Sequence, residues 1–171
     1  MKNNKGITLT SLVITIIVLL IISGLTANIS SDVIKQANLQ DLKTNMLLIQ
    51  AKAKIYTEEV NFETANLDKA KEADKTKIEE IKASKLKGIA LVSCDANIQT
   101  AAKNAGVIDT SDFYYLSPEN LSAMGININV PKDTYYLVKY NFEDTEVVYT
   151  KGFEFGNKIY YRLSEINKIK Q

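Results

Sequence analysis

The sequence predicts an α+β protein in which a long N-terminal helix packs against a small globular head with a C-terminal antiparallel β-sheet. Three observations lead to this prediction. A charge-free run extends from Gly6 to Ser31, and apolar residues then recur at helical spacing as far as Val60. Short segments rich in aromatic and β-branched residues follow Pro131, and these are typical of strands.

The charge-free run is too long for one strand, because at about 3.3 Å per residue it would extend roughly 85 Å. A membrane-spanning helix explains it better, since a bilayer requires every backbone polar group to be satisfied within the segment. Ile7 to Leu25 is 19 residues, close to the roughly 20 that cross a bilayer. The sequence therefore predicts one transmembrane span.

The charges beside the span predict its orientation. Lys2 and Lys5 lie on the short N-terminal flank with no acidic residue next to them, which places that flank in the cytoplasm. Everything after Asp32 is then expected outside. We therefore expect a single-pass cytoplasmic membrane protein with an extracytoplasmic head.

A cleaved secretory signal is the alternative explanation, because it also has a basic start and an apolar middle. Such a signal ends in a small-x-small cleavage site. The best candidate is Leu25-Thr26-Ala27, which has leucine where a small residue is wanted.

The stretch KGITLTSLVITIIVLLIISG, residues 5 to 24, resembles the class III N-terminus of type IV prepilins and pseudopilins. In that family a short basic leader ends in glycine, and an apolar helix follows at once. The resemblance implies that a prepilin peptidase cleaves between Gly6 and Ile7 and methylates the amine of Ile7. Lys5 directly precedes the final glycine of the leader, and Thr8 and Leu9 match the second and third mature positions.

The motif departs from the family pattern at two places. Ile7 stands where phenylalanine is commonest, and Ser11 stands at the fifth mature position, where the family usually has glutamate. In the family that carboxylate is thought to pair with the N-terminal amine of a neighbouring subunit. The departure leaves open a major subunit that manages without the acid, a minor subunit at a tip, or an anchored protein that never polymerises.

A helical seam follows the apolar run, with spacings of three and four residues. It comprises Leu39, Leu42, Met46, Ile49, Ala53, Tyr56 and Val60. No proline occurs before Pro118, so one helix can continue from Ile7 to about Val60. The seam is explained by packing on the chain's own head or by a coiled coil with a partner.

These observations divide the chain into five segments. We expect a leader peptide at residues 1–6, the transmembrane and assembly part of the helix at 7–31, and its amphipathic continuation at 32–62. A charged second helix or mobile linker is expected at 63–88, and a globular head at 89–171 with antiparallel strands from about residue 134.

Within the head, Ile89 to Val92 is predicted as a short strand or turn, and Ala96 to Ala105 as a short helix stopped by Gly106. Another helix is predicted to open at Pro118 with Ser117 as its N-cap and to end at Gly125. The strands are predicted in TYYLVKY, EVVYT, FEF and KIYYRL, with hairpin turns at NFEDT, KG and GN. Each adjacent tyrosine pair in a strand is expected to place one ring in the core and one in water.

Composition argues against catalysis. The chain has no histidine and a net charge of +1, so the commonest general base and metal ligand are absent and nothing favours nucleic-acid binding. The one cysteine, Cys94, is most simply a buried apolar residue. We expect no enzyme activity, no cofactor, no metal, no small-molecule substrate and no nucleic-acid partner.

The expected function is structural: a pilin or pseudopilin, either a major or a minor subunit, of a filament like a type IV pilus or a type II secretion pseudopilus. The resemblance implies three partners, namely the cytoplasmic membrane, a prepilin peptidase and other pilin-like subunits in a homo- or hetero-oligomer, and a cell-surface location after assembly. The alternative is a membrane-anchored binding or adhesion module that does not polymerise. An extracytoplasmic enzyme is a third possibility, but no residue spacing marks a catalytic pair.

Overall fold

A computed structural model of the chain describes residues 9–141 and 143–169. It confirms the predicted α+β class, with a long N-terminal helix and a five-stranded antiparallel sheet. The chain divides into two compact units, Met1–Gln40 and Asp41–Gln171. The first unit consists, within the described residues, of the N-terminal part of one helix.

That helix, α1, runs from Leu9 to Thr64 over 56 residues. No proline interrupts this helix. Its one glycine, Gly24, lies within the apolar run and does not end the helix. A turn at residues 65–71 leads to helix α2, Glu72–Lys85. Acidic residues in the first turn of α2 and lysines in its last turn complement the helix dipole. The charged segment is therefore a helix preceded by a short turn.

The second unit also contains the sheet and the short helices. The strands are β1 (Ile89–Ala90), β2 (Phe113–Leu116), β3 (Tyr136–Lys139), β4 (Glu146–Phe155) and β5 (Lys158–Arg162), and they pair antiparallel in that order. The short helices are a 3-10 turn at Leu91–Ser93, α3 (Ala96–Asn104), α4 (Pro118–Ala123) and α5 (Leu163–Ile166).

The sheet begins earlier in the chain than the sequence indicated. Both β1 and β2 precede residue 134. β1 falls in the segment Ile89 to Val92 that was predicted as a short strand or turn, whereas β2 was not predicted. β2 pairs with β3 in the register Phe113↔Lys139 to Leu116↔Tyr136. Four residues carry too little alternation to mark a strand by themselves. Pairing with β3, whose partner residues lie 20 to 26 positions away in sequence, makes β2 a strand.

The predicted hairpin turn at Lys151-Gly152 is wrong, because β4 continues through it. Val148 pairs with Arg162 and Phe153 with Tyr160, so the register shifts between them as in a β-bulge. Gly152 has a φ of 68° within this irregularity. Glycine therefore bends the strand here and does not end it.

The predicted capping of α4 is confirmed. The Asn120 backbone N–H donates to Ser117 Oγ at 3.2 Å, and the Ser117 N–H donates to Asn120 Oδ1 at 3.1 Å. This reciprocal capping box fixes the start of the helix after β2. Gly125, with a φ of 75°, follows its end.

Both faces of the sheet are covered, which changes the expectation for the tyrosine pairs. One face carries a hydrophobic cluster that includes Phe113, Leu137 and Val148 of the strands and Ile98 and Ala102 of α3. The alternating strand residues, such as Val138 and Val147, are buried on the other face. Each paired tyrosine is therefore at least partly buried, and none of them lies fully in water.

Candidate functional site

The predicted seam of α1 is almost entirely buried. Met46, Ile49 and Ala53 are fully inaccessible, Tyr56 is half-buried, and the remaining members, Leu39, Leu42 and Val60, are buried. Leu39 belongs to the first unit and the others to the second. Within the second unit, α1 therefore packs into the core through the seam residues.

Polar contacts fix the C-terminal half of α1 in the second unit. The Gln50 side-chain amide donates to the Thr145 carbonyl in the β3–β4 loop at 2.8 Å. Glu63 pairs with Lys85 at the end of α2 at 2.6 Å. The hydrogen bond and the charge of Glu63 raise the pKa of Lys85. The helix is thus held to a loop of the sheet and to α2.

The opposite face of α1 is exposed and carries large apolar side chains. Leu48 is 48% exposed, Ile55 49% and Phe62 84%. These three residues lie seven apart, so they form one line along the helix. These three residues were not among the predicted site residues, although their seven-residue spacing, in a segment that also carries the buried seam, was a usable signal in the sequence.

The residues of the N-terminal motif fall largely outside the description. Lys5, Gly6, Ile7 and Thr8, with the predicted cleavage and methylation sites, precede the described residues. Leu9 and Ser11 belong to the first turn of α1. The predicted leader, cleavage, methylation and Ser11 role therefore remain predictions.

A cavity of about 330 Å³ lies beside β3 and the loop after α3. Charged residues line it, and several of them contact each other or the backbone. Lys139 Nζ contacts Asp144 Oδ2 at 3.0 Å, and Arg162 Nη2 donates to the Gly106 carbonyl at 2.8 Å. Glu146 accepts from the Ser164 backbone N–H at 3.2 Å. In the same cavity the Ser111 hydroxyl donates to Asp109 Oδ1 at 2.7 Å and the Ser111 backbone N–H donates to that oxygen at 3.0 Å, which is the pattern of an Asx turn.

Cys94 is unpaired in the described chain and partly exposed. Burial, and to a lesser degree the charge of Asp95, raise the pKa of its thiol. Its Sγ lies 3.5 Å from the Ala90 carbonyl, in position to donate. Both effects disfavour the thiolate, which is the nucleophilic form of cysteine.

Within the described residues no His, Cys, Asp and Glu side chains cluster in a way that could hold a metal ion. Of the helices described in residues 9–141 and 143–169, none has the combination of length and apolar character that spanning a bilayer requires. No protein-family model, curated protein or solved structure matches the chain.

Proposed function

We propose that the chain is a pilin-like or pseudopilin-like structural subunit that is inserted in the cytoplasmic membrane, cleaved after Gly6 and polymerised through its apolar N-terminal helix. One observation carries the proposal. The apolar run, from residue 9 to residue 31, and the seam buried in the second unit belong to the same uninterrupted helix, Leu9–Thr64. A cleaved export signal is removed from the mature protein, so it is not expected to continue into a helix that forms part of the folded core.

The continuity suggests that the two halves of α1 have different functions. The C-terminal half contributes to the core of its own head, through residues such as Met46 and Ile49. The N-terminal half is free of charge as far as Ser31 and suits either lipid or the helices of other subunits. Because lipid is as apolar as these side chains, close packing and hydrogen bonds must favour the filament over the membrane.

The residue at the fifth mature position bears on how subunits would join. Ser11 and Thr8 offer hydroxyl acceptors but no negative charge to a neighbouring N-terminal amine. An amine held in an apolar environment without a partner is costly or loses its proton. This supports a weaker assembly contact than a carboxylate provides.

A membrane-anchored binding or adhesion module that never polymerises is the second candidate, and Ser11 is the observation that favours it. In that case the leader remains attached and serves as a signal anchor. Leader removal and sedimentation with filaments distinguish polymerisation from simple anchoring.

Co-expression with a prepilin peptidase tests the proposal. We expect intact-mass analysis to show loss of the first six residues and a methyl group on Ile7. Gly6→Lys should leave the leader attached, whereas Asn4→Lys, a matched change within the leader, should not. A mature chain beginning near Asn28 would instead establish a secretory signal and contradict the proposal.

A further inference from the structure

The exposed face of α1 in the second unit, which we call the outer stripe, consists of Leu48, Ile55 and Phe62. Leu48 and Phe62 each lie seven residues from Ile55, or about 10.5 Å along the helix. The stripe lies roughly opposite the buried seam, since seam residues such as Ala53 point to the other side of the helix. Isolated exposed apolar residues are normal on proteins, but a regular line of three large ones is typical of an interface.

Charges on the two sides of Ile55 have opposite signs. Lys52 and Lys54 precede it, and Glu58 and Glu59 follow it, with all four side chains exposed. In the described part of the chain none of these four forms a salt bridge. The helix surface therefore has a basic half and an acidic half that meet at Ile55.

We infer that the outer stripe binds a second copy of the chain, with the two α1 helices antiparallel and Ile55 on the two-fold axis. In this arrangement Leu48 of one copy lies level with Phe62 of the other, and the two Ile55 side chains meet. Lys52 and Lys54 of each copy face Glu58 and Glu59 of its partner. The same patch is used on both copies, as a two-fold symmetric interface requires.

Charge selects this arrangement over the parallel ones. A parallel pair in register would place lysine against lysine and glutamate against glutamate, which is unfavourable. A parallel pair staggered by seven residues would bring Lys52 level with Glu59 but leave the other charges unmatched. In the antiparallel pair all four charged residues of each copy face residues of opposite charge on its partner. Exposed ion pairs contribute little individually, so the apolar stripe provides the attraction and the charges decide the orientation.

The contact is small, because only about four helical turns take part. Interfaces of this size are weak and concentration-dependent. It joins copies whose α1 helices run in opposite directions, so it is distinct from the parallel packing of helices expected inside a filament. Copies anchored in one bilayer share one orientation, so this contact forms between copies in facing membranes or copies extracted from the membrane. The inference therefore requires neither leader cleavage nor polymerisation.

Disulfide trapping of the full chain in detergent tests the inference, in a Cys94→Ser background that leaves no native thiol. Ile55→Cys should form a disulfide-linked dimer on mild oxidation, because a residue on a two-fold axis faces its own copy. Leu48→Cys alone should not, whereas a mixture of Leu48→Cys and Phe62→Cys chains should. Unchanged far-UV circular dichroism of each variant checks that it is folded.

The alternative pairings give other patterns, and each overturns the inference. Dimers from all three single variants would show a parallel pair in register, and dimers from mixed Leu48→Cys and Ile55→Cys chains a staggered one. No dimer from folded Ile55→Cys chains would show that copies do not meet at this face.

Charge reversal provides a second measurement on the Ile55→Cys chain. Lys52→Glu with Lys54→Glu should reduce the rate of dimer formation by about tenfold at low salt, since every cross-pair becomes repulsive. Adding Glu58→Lys and Glu59→Lys should restore the rate. Lys69→Glu with Lys71→Glu, an equal charge change in the turn before α2, should have little effect. Failure of the combined variant to recover would contradict the antiparallel pairing.

Discussion

The hydroxyl of Tyr140 and the backbone of Lys87 form two hydrogen bonds. The hydroxyl donates to the Lys87 carbonyl at 2.8 Å and accepts from the Lys87 N–H at 3.3 Å. Tyr140 directly follows β3, and Lys87 lies between α2 and β1. The Tyr140 ring also packs edge-on against Tyr114 of β2, with 5.1 Å between ring centroids. One buried side chain thus joins the sheet to the segment that connects it with α2.

Removing the hydroxyl should loosen this connection. We expect Tyr140→Phe to lower the free energy of unfolding by about 1–3 kcal/mol, because two hydrogen bonds to partly buried backbone groups are lost. Chemical denaturation of the full chain in detergent, followed by circular dichroism, measures the change. Tyr160→Phe is the matched control. Tyr160 is half-buried, and this substitution keeps the ring that Lys158 contacts. Equal effects from the two substitutions would contradict the role assigned to Tyr140.

Alkaline pH should destabilise the second unit through its buried tyrosines. Burial, together with the nearby Tyr149, raises the pKa of Tyr136. Burial also raises the pKa of Tyr140, against a smaller lowering by the hydrogen bond with Lys87. A raised pKa in the folded state means that stability is complete below the ordinary tyrosine pKa near 10 and falls as pH rises toward the folded value.

The expected loss is up to about 1.4 kcal/mol per pH unit above pH 10 for each tyrosine. Unfolding curves between neutral and strongly alkaline pH, with phenolate absorbance as a second signal, measure it. Tyr136→Phe should make the curve less steep above pH 10. An unchanged slope in that variant would show that Tyr136 does not control the transition.

The two faces of α1 should respond differently to the same substitution. Ile49 is fully buried and Ile55 is 49% exposed, on one helix and six residues apart. Ile49→Ala should destabilise the protein by about 2–5 kcal/mol through lost contacts and a cavity. Ile55→Ala should cost less than about 1 kcal/mol. Thermal unfolding at low protein concentration compares them, and similar losses would mean that the seam is not a core element.

Two glycines with positive φ provide a test of the bulge in β4. An added Cβ at Gly152 would meet the side chains of Ile159 and Tyr161, whereas at Gly156 it would meet nothing within 4 Å. Gly156→Ala should cost about 1–2 kcal/mol from backbone conformation alone. Gly152→Ala should cost at least about 1 kcal/mol more, because the steric clash with the two side chains adds to the same cost of a positive φ. Equal unfolding free energies would show that β4 is not tightly packed there.

The absent carboxylate at the fifth mature position can be restored. If a missing charge limits assembly, Ser11→Glu should increase the yield of sedimentable filaments when the peptidase and assembly apparatus are present. Ser11→Gln, similar in size but uncharged, is the matched control. An unchanged or reduced yield with Ser11→Glu would show that the subunit does not depend on that pairing.

Local sequence signals predicted several elements correctly. The spacing of Met46, Ile49 and Ala53 marked the side of α1 that is buried, because helical geometry places such residues on one face. Ser117, Pro118 and Gly125 marked helix α4, since caps depend on residues within a few positions of each other. The start and end of α3 were also close to the prediction.

Elements that depend on distant residues were missed. Strand β2 is four residues long and is stabilised by pairing with β3. The Lys151-Gly152 pair was interpreted as a turn, but the partner strand β5 continues opposite it. In both cases the nearest neighbours in sequence are compatible with two structures, and pairing across the sheet selects one of them.

The sequence by itself determined the long helix, its buried seam and the position of α4, because helix periodicity and capping are properties of a short stretch of chain. Only the tertiary structure decided that β4 passes through Gly152, that both faces of the sheet are covered and that Tyr140 contacts Lys87. Those features join residues separated by many positions along the chain. Which partners meet depends on how the whole unit packs, and no local pattern contains that information.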